Sequence, residues 1–265
     1  MFLTKVVFFF SIFFIFNLIF AEGAWAWGPA ILQSFHHEYV YGSFAADFLV
    51  GKGQKKKDGH SHNWETGFRF LKESRDEREA AYAYGFLSHL AADVVAHNYF
   101  VPDLINKAST LKRMGHLYWE ARADYLVGPV YMRIARDILS MEQLGCDDLI
   151  KLAVGKRRNG IKARRHLFIQ SVKLSDFFSC SQPMFLINRG SRYQISYKYL
   201  AFMIDLSYRL VKDFLNHPYS SSCLSYDPIG SRNLRLAGRN KIISKIFKIP
   251  RPIYRFTVDQ DLLKL

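Results

Sequence analysis

Residues Ser74 to Phe100 read SRDEREAAYAYGFLSHLAADVVAHNYF, and this stretch decides the fold. Ala80, Ala81, Ala83 and Leu87 recur at helical spacing, Ser74-x-x-Glu77 has the form of a capping box, and Pro102 stands just beyond the end. The spacing predicts one helix over the whole stretch, buried on several sides because small and apolar residues occupy most of its circumference. Within it lie His89, Asp93 and His97, each one helical turn from the next. Side chains four residues apart point the same way from a rigid rod, so the three form a polar stripe on an otherwise apolar helix.

The same pattern extends outward. A second helix is predicted from Gly115, carrying His116, Trp119, Glu120, Ala123 and Leu126 before Gly128-Pro129 and continuing, kinked, toward Met141. A third, marked by Leu200, Met203, Ile204, Val211, Phe214 and Leu215, ends before Pro218. The polar runs Gly51 to Gly59 and Lys156 to Arg165 read as exposed loops or solvated faces. Strand-like alternation is scarce, so the expected fold class is all-α, a single helical domain.

With 265 residues and 49% hydrophobic content, the chain can bury one substantial core. Lys5, the apolar block Val6 to Ala21 and the Ala24-Trp25-Ala26 motif form a signal-peptide pattern with a cut before Trp27. An uncleaved anchor would need nearly the same residues but a longer apolar span. The expected organisation is a signal peptide over residues 1–26, a helical domain over 27–230 and a basic C-terminal segment over 231–265. The expected location is therefore exported, periplasmic or secreted. Net charge is +14 and is unchanged by loss of the leader, which takes away Lys5 and Glu22 together. That excess favours anionic partners: membrane surfaces, nucleic acid or phosphate esters. Arg232 to Arg255 holds eight basic residues and no acidic one, with Ile242, Ile243, Ile246 and Ile249 on one helical face beside Lys241, Lys245 and Lys248. This is either a basic amphipathic helix for a membrane surface or a helix packed on the body with its lysines in water. Three cysteines, Cys146, Cys180 and Cys223, have no zinc-ribbon or redox-pair spacing, so any metal must be held by His, Asp and Glu.

His116 and Glu120 repeat the one-turn spacing of His89 and Asp93 on the next helix, while Asp47 and His60-Ser61-His62 add a carboxylate and two imidazoles upstream. Zinc takes neutral imidazole and carboxylate ligands. Along a helix, His89 and His97 stand ~12 Å apart, too far to share one ion, so they belong to different metals with Asp93 between them. A lone buried histidine is more often a hydrogen-bonded core residue than a ligand. Five ionisable groups on apolar helix faces change that balance, since each costs a few kcal/mol to bury unless paired or metal-bound.

On these motifs the sequence resembles the bacterial zinc-dependent phospholipases C, whose helical fold is shared by zinc-dependent single-strand nucleases. Trp27-Gly28-Pro29 directly after the cleavage signal matches the family's mature N-terminal Trp, which binds metal through its free amine and carbonyl. Asp47 and His62, with His60 as alternative, match its Asp followed by His. His89, Asp93 and His97 match its helical trio, with a shorter final step than is usual, and His116 with Glu120 matches its closing pair. The resemblance covers roughly Trp27 to Val127. It implies two to three zinc ions: one held by Asp47, His62, His89 and Asp93, a second by His97, His116 and Glu120, and a third by Trp27 and Asp93. A further His of the family's first helix is missing here, where the nearest substitutes are His36 and His37.

The implied activity is hydrolysis of phosphodiesters by hydroxide held between metals, with Asp47 as ligand and general base and phospholipid as the first substrate class. A single-strand nuclease and a non-catalytic, zinc-stabilised membrane-associated protein are the alternatives. No protein partner is implied. Trp64, Tyr118 and Trp119 either line the pocket or belong to the core.

Overall fold

The computed structural model describes residues 35–49, 62–107, 115–127, 136–141, 193–248 and 255–265, with a few further positions between 146 and 170. The regular elements of these segments are helices: α1 His36–Leu49, α2 Trp64–Glu73, α3 Glu77–Val95, a π-helical turn Ala96–Phe100, α4 Val101–Lys107, α5 Gly115–Val127, α6 Tyr197–Asn216, a short 3-10 turn Ser222–Ser225, α7 Ser231–Ile246 and α8 Gln260–Leu263. The all-α expectation holds. Trp27 and His60 lie outside the described residues, as does the leader. Among the described residues, no helix is long and apolar enough to cross a membrane.

α3 is the central rod, with its residues from Ala81 onward buried almost without interruption. It starts later than the capping-box reading places it. Asp76 is the N-cap, its carboxylate accepting the Glu79 amide at 2.8 Å, whereas Ser74 closes α2, its hydroxyl donating to the Phe70 carbonyl. Both residues are good caps, and the choice falls to Asp76 because Ser74 is still engaged with the preceding helix.

α1 packs along α3 in parallel, since the contacts advance in step from Glu38–Arg78 through Gly42–Tyr82 to Asp47–His89. Two glycines set the spacing. A Cβ on Gly42 would overlap the Tyr82 carbonyl oxygen, and one on Gly85 would overlap that of Tyr39. The backbones therefore touch, which brings Asp47 at the far end of α1 against α3.

The rod does not stop before Pro102 as the sequence suggested. It widens into a π turn over Ala96–Phe100 and resumes as α4, with the Val101 amide donating to the Ala96 carbonyl. A proline inside an α-helix clashes with the carbonyl four residues earlier and leaves it without a partner. Here that carbonyl belongs to Asn98, and Asn233 of α7 donates its amide to it at 2.9 Å. The wide turn and the distant asparagine together let the helix pass through Pro102.

Candidate metal centre

At the end of α3 the polar stripe meets three other parts of the chain. Asp47 reaches in from α1, His62 from just before α2, and Glu120 from α5. All of Asp47, His62, His89, Asp93, His97 and Glu120 are buried. The Nε2 atoms of His62 and His89 are 3.2 Å apart, and each is 3.4 Å from Asp93 Oδ2. Asp47 Oδ1 lies 3.7 Å from His62 Nε2 and 3.8 Å from His89 Nε2. Ligands at zinc distances of ~2.0–2.1 Å in a tetrahedron stand ~3.3–3.4 Å from one another. The two Nε2 atoms and Asp93 Oδ2 have about that separation, Asp47 Oδ1 lies slightly wider, and Asp47, His62 and His89 form a group able to hold one cation.

A second cluster begins one turn on. His97 Nε2 is 3.4 Å from Glu120 Oε1, while His97 Nδ1 donates to the Pro228 carbonyl at 2.8 Å. That bond fixes the tautomer and leaves the Nε2 lone pair facing Glu120, as metal-ligating histidines require. Asp93 stands between the clusters, with Oδ2 3.8 Å from His97 Nδ1. His116 falls in the first turn of α5, but its side chain lies outside the described set. His36 and His37 do not serve as substitute ligands for an ion beside Asp47 and Asp93. They occupy the first turn of α1, their rings 3.7 Å apart, whereas Asp47 is ten residues further along, ~15 Å down the axis.

Electrostatics point the same way. Burial holds the His62 and His89 imidazoles down to about 4, so both are neutral and have lone pairs available at physiological pH. Burial pushes the Asp47 carboxyl up to about 7 and that of Asp93 well above the ordinary range. The charged groups acting on these two carboxyls are imidazoles and other carboxylates, not lysine or arginine. Among the described residues neither carboxyl has a hydrogen-bond partner for its oxygens, and Asp93 Oδ2 and Asp47 Oδ1 face imidazole nitrogens. Buried acids without cations or donors are costly as they stand, and bound cations remove that cost. The donor set of neutral imidazole and carboxylate suits zinc.

The sequence reading missed two features. Asp124, one turn beyond Glu120, is buried with both oxygens unpartnered and is coupled to Glu120 and Asp47. Its i+4 spacing was a visible signal. The second is the loop from Tyr226 to Gly230 that carries Pro228. Asp227 ties it down, accepting the amides of Ile229 and Ser231, while its carbonyl accepts from Asn98 of the π turn. Gly230 adopts φ 60°, and a Cβ there would overlap the His97 carbonyl oxygen. Asp259 of the C-terminal tail accepts from Tyr99 and Tyr226 at 2.9 Å each, on either side of that contact. No sequence signal links these residues.

The aromatic candidates belong to the packing. Trp64 donates its indole N–H to the Tyr226 carbonyl and stacks on Phe214. Trp119 is fully buried and, with Tyr118, packs around the Arg122 guanidinium.

Comparison with known proteins agrees with this geometry. The family model described as zinc dependent phospholipase C matches residues 13–156, which contain all the site residues above except the supporting loop and tail. No curated protein and no solved structure matches the chain. With the match spanning more than half of the chain, including both helices that carry the one-turn ligand pairs, the protein belongs to the zinc-dependent phospholipase C family.

Proposed function

We propose that the protein is an exported zinc phosphodiesterase that hydrolyses phospholipid headgroups. The observation that carries the reading is the buried convergence of His62, His89, Asp47 and Asp93 at zinc-ligand separations. Asp47, His62, His89 and Asp93 would hold a first ion, and His97 and Glu120, with His116, a second. Zinc bound there would lower the pKa of a water toward neutrality and offset charge on the phosphoryl oxygens. His97 presents Nε2 because Nδ1–H is committed to Pro228. Asp47 directs Oδ1 at the two imidazoles, which leaves Oδ2 to accept a proton as general base. A third ion on the Trp27 amine would require cleavage after Ala26.

Lipid is favoured over nucleic acid by the outer end of α7. Ile246 and Phe247 are 67% and 66% exposed, Ile242 is also exposed, and Lys248 follows. Exposed apolar residues among basic ones suit an anionic lipid surface. The opposite face of α7, with Ala237, Asn240 and Ser244, is buried on the body, so a lipid surface would meet the exposed face alone. The test is zinc content of the purified protein with turnover on short-chain phospholipid and on a single-stranded oligonucleotide. Zinc with lipid turnover supports the proposal. Oligonucleotide turnover alone would replace the substrate, and zinc without either turnover would leave a structural role.

A further inference from the structure

We propose that Asp124 is an additional ligand of the metal centre, completing with Glu120 the carboxylate pair of the second cation beside His97. The inference rests on the metal reading above and extends its ligand set, which by resemblance ends at Glu120.

Asp124 sits in the last turn of α5, at the negative pole of the helix, where a carboxylate has no free amide to cap. It is 3% exposed, and among the described residues neither carboxyl oxygen has a hydrogen-bond partner. One turn after Glu120, it projects from the same face of the helix. That face is the one from which Glu120 meets His97 at 3.4 Å, and burial raises the Asp124 carboxyl, with Glu120 and Asp47 adding to the shift. Arg122, the nearest guanidinium in sequence, is turned away toward the Tyr193 carbonyl and the Gln194 side chain.

Protonation alone does not account for such a group. A neutral carboxyl still has a carbonyl oxygen that needs a donor, and among the described residues neither oxygen of Asp124 meets one. A cation satisfies both oxygens at once. Charge balance then assigns the residues in pairs: Asp47 and Asp93 neutralise one dication beside His62 and His89, and Glu120 and Asp124 neutralise another beside His97. Without Asp124 the second dication would have one carboxylate of its own, and a fourth buried acid would be left with no counter-charge.

The test compares the full-length protein with Asp124→Asn, Asp124→Glu and His89→Ala, reading zinc per chain by elemental analysis, zinc affinity by chelator competition, and melting temperature with and without zinc. The asparagine variant should keep the first ion and bind the second ~10–100-fold more weakly. Its metal-free form should melt above the metal-free wild type, because the amide is buried neutral without having to take up a proton, and its zinc-loaded form below the loaded wild type. The glutamate variant should recover part of the second-site affinity. Should the asparagine variant not fold, Asp124→Leu reads the same quantities. Unchanged zinc affinity and unchanged melting in both states would overturn the role of Asp124 while leaving the centre intact. A wild type that binds no zinc, and that His89→Ala does not alter, would instead overturn the metal reading itself and this inference with it.

Discussion

Asp47, His89 and Asp93 are held by a backbone lock, whereas His97 is held by a scaffold borrowed from the far end of the chain. In the first half of the centre, α1 and α3 touch through Gly42 and Gly85, and these three ligands project from the rods so positioned, with His62 joining them from just before α2. In the second half, His97 sits on a π turn and its ring is aimed by Pro228, 131 residues away. That loop is braced in turn by Asp227, Gly230 and the Asp259 tail. Side chains on rigid, buried elements are placed by packing alone, while a ligand on an irregular turn needs outside partners to fix its orientation. The first half should therefore fail all at once, with the fold, and the second by degrees.

The harshest test of that contrast is Gly85→Val. The added side chain meets the Tyr39 backbone, which cannot move without separating α1 from α3. We expect a loss of at least ~4 kcal/mol, in the range of severe core overpacking, read by thermal melting, together with loss of zinc. A variant that melts like the wild type would show that the helices do not depend on this contact.

Ligand removal should separate the halves. His89→Ala is expected to remove the first ion only, whereas Asp93→Asn, which removes a carboxylate 3.4 Å from both first-half imidazoles and one turn before His97, should lower occupancy of both. In each case turnover should fall by more than the roughly 100-fold that partners outside the ligand set contribute. Equal zinc content in the two variants would argue against Asp93 as the shared residue.

Gly230→Ala addresses the second half alone. It places a Cβ at φ 60° against the His97 carbonyl. The left-handed conformation costs about 1–2 kcal/mol for a non-glycine residue, and displacement of Pro228 should weaken the second ion ~10–100-fold with the first retained. Loss of both ions together would mean that the halves are not independent.

The pH response should invert with metal. Asp47, Asp93 and Asp124 have carboxyls raised by burial, Asp47 to about 7, so the metal-free fold holds protons that the unfolded chain has released. Stability from this source is lost as pH rises through the folded values. His62 and His89, lowered to about 4, act in the opposite sense, but only between about 4 and their ordinary value of 6.5. From pH 6.5 to 8 the metal-free protein should therefore lose up to ~1.4 kcal/mol per pH unit for each carboxyl titrating. Zinc, competing with those protons, should bind more tightly over the same range. Melting curves with chelator and with zinc check both signs.

The smallest effect should come from Asp259→Asn, which weakens two tyrosine hydrogen bonds at the tail. About 1 kcal/mol of stability is at stake, and zinc affinity should shift only a few-fold, at the second ion. A larger shift would promote the tail from a brace to a determinant of the centre.

These expectations track what could be read beforehand. His89, Asp93, His97 and Glu120 were visible because a regular helix converts sequence spacing directly into direction, and the structure leaves them where that rule puts them. Asp124 obeys the same rule, but its turn-mate is another carboxylate rather than an imidazole, a spacing equally common on solvated helix faces. The start of α3 was misplaced by two residues, since Ser74 and Asp76 are both competent caps and only the preceding helix decides between them.

By itself, then, the sequence determined an all-helical chain with a stripe of imidazoles and carboxylates on a buried rod, and hence the class of cation it suits. Periodicity and burial cost are local properties that spacing expresses. Tertiary structure alone decided that α1 runs parallel to α3 so that Asp47 meets His89, that a π turn carries the rod through Pro102 with Asn233 serving the stranded carbonyl, and that Pro228 fixes the tautomer of His97. Each of these depends on backbone groups meeting across long stretches of chain. Backbone carbonyls are the same at every residue, so no pattern of side chains marks which of them will be used.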